Sequence, residues 1–139
     1  IALFLRANTA KGQARFDALS RLLYPPKARE HFRNHSDLSN ITRELQNPIP
    51  KKTLLMQLNA CRNHDTRERL GELAGVPTLI FKPAQDILVR PKGSDYLHQH
   101  IPGSELVTYD DAGHGVTEQY ADDLNQRLLE HFQNAEQSH

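Results

Sequence analysis

The spacing of hydrophobic residues divides the chain into two regions of different character. From residue 1 to about residue 73, apolar residues recur at helical spacing between polar connections. From residue 74 onwards the pattern changes to strand, helix, strand, helix, which is the alternation of a parallel sheet covered by helices. The pattern therefore predicts a helical segment, residues 1–73, followed by an α/β segment, residues 74–139.

Three amphipathic helices and one short helix are predicted in the first region. Each of the three carries an apolar face that we expect to pack against the rest of the protein. The first ends at Pro25-Pro26, the second covers 37–46 and the third covers 52–62. The stretch from Asp65 to Glu68 has the form of a capping box, which predicts a short helix to Leu73.

The second region is predicted to contain two strands and two helices. The strands cover 78–81 and 105–109, and the helices cover 91–100 and 118–132. The first strand is apolar on both faces, as expected for a strand buried in a parallel sheet. Strand, crossover helix and strand in this order predict a right-handed unit with both strands parallel.

Asp86 and His114 each follow the end of one predicted strand. Because the carboxyl ends of parallel strands lie at one edge of a sheet, the two residues are expected on neighbouring loops, where ligands of such sheets bind. A carboxylate bonded to one imidazole nitrogen orients the ring and stabilises the imidazolium, while the other nitrogen can take a proton from a nucleophile. Gly113 and Gly115 are expected to let the backbone turn tightly around His114.

These segments resemble a known fold family. Residues 76–89, which contain Asp86, and residues 101–115, which contain His114, are similar to the segments of α/β hydrolases that end on the catalytic acid and histidine. Residues 125–132 resemble the final helix of that family. Residues 57–66 resemble the exit from the helical cap in small hydrolases such as enol-lactone hydrolases. Pro83 stands where the family commonly has glycine.

The resemblance implies an α/β fold class, namely the carboxyl-terminal part of an α/β-hydrolase fold, with parallel strands, flanking helices and a helical cap in residues 1–73. It further implies a hydrolase of ester, lactone or related acyl bonds, with Asp86 and His114 as members of a catalytic triad. The Gly-x-Ser-x-Gly motif of the nucleophile is absent from the chain. Since the family order is nucleophile, acid, histidine, the serine is expected to precede Ile1.

Composition narrows the possible partners. Lys plus Arg and Asp plus Glu both number 17, so the formal charge is zero and nothing indicates binding to nucleic acid or to an acidic membrane. The longest apolar runs are too short to span a bilayer. The single cysteine fits a reducing, cytoplasmic compartment. The expected partners are a small acyl substrate and either the missing amino-terminal half or a second copy of the chain.

Several residues offer competing interpretations. Asp110 and Asp111 are rival acids, although residues so close to His114 more commonly stabilise a turn. Cys61 is a possible nucleophile, but it lies on an apolar helical face without flanking glycines and is expected to be a buried structural thiol. The pairs His31 with His35 and His98 with His100 have metal-compatible spacing but no third ligand, so neither a metal nor a cofactor is expected. A non-catalytic binding or assembly module that retains the hydrolase scaffold is the alternative function.

Overall fold

The computed structural model describes residues 9–33 and 49–137, with the side chains of residues 31–33 excepted. Two helices come first in this part of the chain, α1 (Gly12–Leu23) and α2 (Pro26–Arg33), followed by α3 (Lys51–Asn63) and a 3₁₀ helix (Arg67–Leu73). The α/β part consists of β1 (Leu79–Pro83), α4 (Lys92–His100), β2 (Glu105–Tyr109), α5 (Val116–Gln119) and α6 (Ala121–Gln137). The predicted helix over 37–46 lies outside the described residues.

The two strands pair in parallel, and α4 connects them. Leu79 pairs with Glu105 and Pro83 with Tyr109, so both strands end at the same edge of the sheet. Within the described part of the chain this is a two-stranded sheet. The α/β fold class is confirmed, since two parallel strands are joined and flanked by helices.

Alternating side chains of the strands build two small cores on opposite faces of the sheet. Ile80 is buried with Leu70 and Ile101, and Leu106 packs against this group. On the other face, Phe81 and Val107 pack against a cluster formed by Tyr109, Ala112 and Val116. The second cluster contains residues on both sides of His114. The packing that stabilises the end of β2 therefore also holds the loop that carries His114.

The first helix packs on the loop that follows β1. Ala18 and Leu22 of α1 are buried, and Leu88 packs against them. Pro25 ends α1, as its position predicts, and Pro26 then begins α2, where a missing backbone N–H costs little. This arrangement brings the first two helices next to Asp86 and His114.

The apolar face predicted for α3 is present but is not buried. Leu55 and Met56 are 55% and 64% exposed, and no residue of α3 is buried. Cys61 is exposed as well, so the prediction of a buried structural thiol is wrong. Periodicity identified the helix and its apolar stripe, but whether a stripe is covered depends on the neighbours that the fold provides.

No helix in the described ranges is both long and apolar enough for a membrane span.

Candidate active site

Asp86 is held in one orientation by the backbone of its own loop. A turn after β1 is closed by the Asp86 N–H, which donates to the Pro83 carbonyl at 3.2 Å. The Asp86 Oδ1 accepts hydrogen bonds from the backbone N–H groups of Leu88, at 2.7 Å, and Val89, at 3.0 Å. The side chain is 4% exposed. These two donors compensate the loss of water around the carboxylate, which lets a charged group remain buried.

The second oxygen of this carboxylate contacts His114. The distance between Asp86 Oδ2 and His114 Nδ1 is 2.8 Å, within the hydrogen-bonding range. The His114 side chain is 40% exposed, and its Nε2 has no hydrogen-bond partner among the described residues. A buried acid on one side of the ring and an accessible nitrogen on the other can move a proton to and from a bound reactant.

The structure therefore brings together the two residues that the sequence singled out. They lie on loops that follow β1 and β2, at the shared carboxyl edge of the strands. Pro83 is the last residue of β1 and still accepts the bond from Asp86, so the proline at this position is compatible with the turn. The catalytic role of Asp86 and His114 stays a prediction.

The glycines that flank His114 are required by space and not by a special backbone conformation. The backbone turns at His114 and Gly115, as expected, but neither Gly113 nor Gly115 has a positive φ, so the turn itself does not require glycine. A Cβ at Gly113 would lie 2.6 Å from the carbonyl oxygen of Leu23. A Cβ at Gly115 would overlap the ring of Tyr24, lying 2.8 Å from its Cζ.

The end of α1 thus packs directly against the histidine loop. The Gly115 N–H donates to the Leu23 carbonyl at 2.8 Å, and Tyr24 is buried beside it. Burial raises the pKa of the Tyr24 phenol well above its ordinary range, and the carboxylate of Glu118 raises it further. The phenol accordingly remains neutral at physiological pH. The segment from Leu23 to Pro25 packs against the glycines on both sides of His114.

Two glutamines, neither of them foreseen from the sequence, hold the same loops. Gln119 accepts a hydrogen bond from the Gly113 N–H at 2.9 Å and donates to the Asp111 carbonyl at 3.3 Å. The Gln85 side chain donates to the Asp110 carbonyl at 3.0 Å, which ties the aspartate loop to the histidine loop. Neither glutamine belongs to a recognisable motif, because its partners are backbone groups brought close only by the fold.

The rival acids are engaged away from the imidazole. Asp111 accepts a hydrogen bond from the Tyr120 hydroxyl, and this bond raises the pKa of Tyr120. Asp110 contributes its backbone carbonyl to the bond with Gln85. The turn before His114 is thus held by the side chain of Asp111 and by the backbone of Asp110. Glu118 accepts a bond from Thr117 in the first turn of α5.

The other histidines considered as ligands have different surroundings. His98 Nδ1 lies 3.1 Å from the Ser104 hydroxyl, and His100 stacks on Tyr96 with ring centroids 3.9 Å apart. In the described ranges no three His, Cys, Asp or Glu side chains are placed to hold a metal ion. The pair His31 and His35 lies outside the residues whose side chains the structure describes.

A cavity of about 450 Å³ is lined in part by Asp86. Its walls come from the end of α1, the start of α2 and the loop that carries Asp86. Gly113, the residue before His114, also lines it. A ligand in this space would therefore lie next to both loops of the candidate site.

The family model described as TAP-like protein, of the α/β-hydrolase type, matches residues 48–139. A solved structure with the same kind of fold is that of MGS-MChE2, an α/β-hydrolase enzyme from the metagenome of sediments of the Mar Chica lagoon in Morocco. It superposes with a TM-score of 0.55 at 22% identity, over 73% of this chain and 48% of that one. This likeness shows the fold.

Curated relatives match shorter stretches. RutD of Klebsiella pneumoniae, whose name assigns it provisionally as a carbamate hydrolase, is 39% identical over 75 residues, which are 54% of this chain and 28% of RutD. RutD of Agrobacterium fabrum, with the same name, is 35% identical over 88 residues, or 63% of this chain and 33% of that protein. The pimeloyl-[acyl-carrier protein] methyl ester esterase of Neisseria meningitidis is 35% identical over 57 residues, which are 41% of this chain and 22% of that protein. The chain thus spans a third or less of the length of these relatives.

Proposed function

Since this chain belongs to the α/β-hydrolase family described as TAP-like protein, we propose that it supplies the acid and the base of a Ser-Asp-His triad that hydrolyses acyl bonds. The observation that carries this proposal is the 2.8 Å contact between the buried Asp86 carboxylate and the Nδ1 of the partly exposed His114. The nucleophile of the triad lies on a segment other than residues 1–139, which lack a Gly-x-Ser-x-Gly motif.

The chemistry follows from the two ring nitrogens. His114 Nε2 takes the hydroxyl proton as the serine oxygen attacks the acyl carbon, and Asp86 stabilises the resulting imidazolium. The imidazolium then gives that proton to the leaving group as the bond to the acyl carbon breaks. A water molecule repeats the sequence on the acyl-enzyme and releases the acid, which restores the serine.

The substrate class is an ester, a lactone or a related acyl compound. The names of the relatives support this class, since one is a methyl ester esterase and two are named as carbamate hydrolases. In this proposal residues 1–73 act as a cap over the acyl pocket. The position of α1 and α2 along the cavity beside Asp86 supports that assignment.

The test is the hydrolysis of p-nitrophenyl acetate by residues 1–139 joined to, or combined with, the segment that bears the nucleophile. His114→Ala should lower kcat by several orders of magnitude, because members of a triad act as a unit. His64→Ala is the matched control, since His64 is exposed and lies outside the candidate site, and it should leave kcat unchanged.

Residues 1–139 alone should show no enzymatic turnover of the ester. Burst kinetics from this chain alone, abolished by His114→Ala, would reveal a nucleophile within it and contradict the proposed division of the triad. If the combined protein folds and binds acyl compounds but hydrolyses none, the non-catalytic binding module is the correct function.

A further inference from the structure

Two arginines line the cavity that the aspartate loop also lines. Arg21 lies in the last turn of α1 and Arg29 lies in α2, and both line the cavity together with Gln85 and Asp86. The part of the lining that α1 and α2 contribute is therefore basic. Because the cavity also reaches Gly113, the arginines share one space with both loops of the candidate site.

The charge of these arginines is not compensated within the described part of the chain. Neither Arg21 nor Arg29 forms an ion pair with a residue that the structure describes. Asp86 is the acidic residue in the described lining, and both of its oxygens are engaged by His114 and by backbone N–H groups. Two guanidinium groups therefore face the cavity without a carboxylate that is free to pair with them.

Arg29 carries a further sign of a missing acceptor. Its side chain is half-buried, and its Nε is buried without a hydrogen-bond partner among the described residues. A buried donor with no acceptor is costly, so such a group in a folded protein calls for an explanation. A guanidinium presents planar, paired N–H donors, and both carboxylates and phosphates match this geometry. Of these two anions, a carboxylate is the one that a simple acyl compound carries.

We propose that Arg21 and Arg29 form a carboxylate-binding subsite, and that the substrate is an acyl compound with a free carboxylate besides the bond that is cleaved. This inference rests on the proposed function for the cleaved bond, but the binding of the carboxylate is independent of it. An anion held in this cavity lies beside Asp86 and Gly113, the residue before His114.

The first experiment measures binding and needs no catalysis. Adipate and its neutral analogue adipamide are titrated into the protein that includes the nucleophile-bearing segment, and the Arg Nε–H signals and the Gly113 amide are followed by NMR. Adipate should bind and shift the signals of Arg21, Arg29 and Gly113, whereas adipamide should not. Arg21→Gln and Arg29→Gln should each weaken adipate binding about 10- to 100-fold, as expected for loss of a charge-assisted hydrogen bond.

Arg62→Gln is the control, because it makes the same change at an exposed position of α3 outside the cavity. If Arg29→Gln fails to fold, Arg29→Lys takes its place in the experiment. Lysine keeps the charge, so this variant should retain part of the affinity for adipate. Equal binding of adipate and adipamide, or equal loss in the Arg62→Gln protein, would overturn the subsite.

The second experiment compares hydrolysis of monomethyl adipate with that of dimethyl adipate by the protein that includes the nucleophile. A preference in kcat/KM for the monoester, lost in Arg21→Gln and Arg29→Gln, is expected. Adipate binding without any ester hydrolysis would refute the proposed function and leave the subsite standing. Hydrolysis with no preference for the monoester, together with no selective adipate binding, would refute the subsite alone.

Discussion

Space, more than backbone conformation, dictates the residues on either side of His114. The chain of Leu23 to Pro25 approaches Gly113 and Gly115 so closely that neither position has room for a side chain. At Gly115 the neighbour is the buried ring of Tyr24, which has little freedom to move. A larger residue at either position must push α1 away from the histidine loop or displace His114 itself.

We expect Gly115→Ala to lower the free energy of unfolding by about 1–3 kcal/mol, the usual range for overpacking a fitted interior. Urea denaturation measures this change. Gly93→Ala is the control, because Gly93 lies in α4 with open space around its Cα and no positive φ. There the added methyl group should leave stability unchanged or raise it by about 0.5–1 kcal/mol. Equal effects at the two glycines would contradict the close packing of Tyr24.

A functional residue could be predicted only where the nearby sequence indicates its position. Asp86 and His114 stood at the ends of predicted strands, and the parallel topology alone placed them on adjacent loops. The contact between Tyr24 and Gly115 joins residues 91 positions apart and had no sign in either stretch. Gln119 is of the same kind, since its partner is a backbone N–H that only the folded turn presents.

A polar cluster fastens α6 to β2. The Tyr109 hydroxyl donates to Asp123 Oδ2 at 2.7 Å, and Arg127 Nε donates to the same oxygen at 2.8 Å. Burial, followed by the bond to Asp123, raises the pKa of Tyr109 to about 12, from an ordinary value of 10.0. Arg127 and Tyr109 lower the pKa of Asp123 in turn. The helix is thereby anchored near its first turn.

This cluster predicts a loss of stability in alkali. Since the folded protein keeps the Tyr109 proton more tightly than the unfolded chain, the contribution is complete below about pH 10 and disappears as the pH rises to about 12. The free energy of unfolding should fall across this window in denaturant titrations. Tyr109→Phe should make the fall shallower. Tyr24 and Tyr120, whose pKa values are also raised, should account for the remainder. An unchanged pH profile in Tyr109→Phe would refute the role of this hydroxyl.

Most helices and strands were predicted, but α2 (Pro26–Arg33) was not, and the limits of several others differ from the prediction. β2 has the predicted bounds, whereas β1 begins at Leu79 and runs on to Pro83, because its pairing with β2 continues past the apolar run. The predicted last helix is divided at Tyr120 into α5 and α6. The predicted helix before β1 is a 3₁₀ helix. Such adjustments are set by pairing and packing partners that periodicity does not contain.

At the scale of the whole molecule, apolar surface remains uncovered. The described sheet has two strands, so each strand has one edge that no other described strand pairs with. Large apolar side chains of α3 and α6 are exposed, among them Leu55, Met56, Leu129 and Phe132. Parallel sheets are ordinarily covered on both faces, and uncovered edges and faces favour association.

We therefore expect residues 1–139, purified alone, to associate or to unfold at micromolar concentration. Sedimentation equilibrium measures the mass directly, and Phe132→Lys with Leu129→Lys should reduce association if α6 takes part in it. Leu97→Lys, on α4, is a comparison at a less exposed apolar position. A monomer that unfolds cooperatively would show that residues 1–73 complete the core, and the assignment of these residues to a cap would then be wrong.

The two oxygens of Asp86 have different neighbours, and for this reason Asp86 determines which ring nitrogen of His114 carries the proton. Oδ1 must be an acceptor, because the N–H groups of Leu88 and Val89 both point at it. In an Asp86→Asn protein the amide oxygen is therefore held at that position, and the NH₂ group is turned toward His114 Nδ1. The ring then accepts at Nδ1 and carries its proton on Nε2, where it cannot receive one from a nucleophile. ¹⁵N NMR of the imidazole should show the reversed tautomer, and the stability of the protein should be nearly unchanged. This single isosteric substitution therefore changes which nitrogen of His114 is protonated without moving the ring.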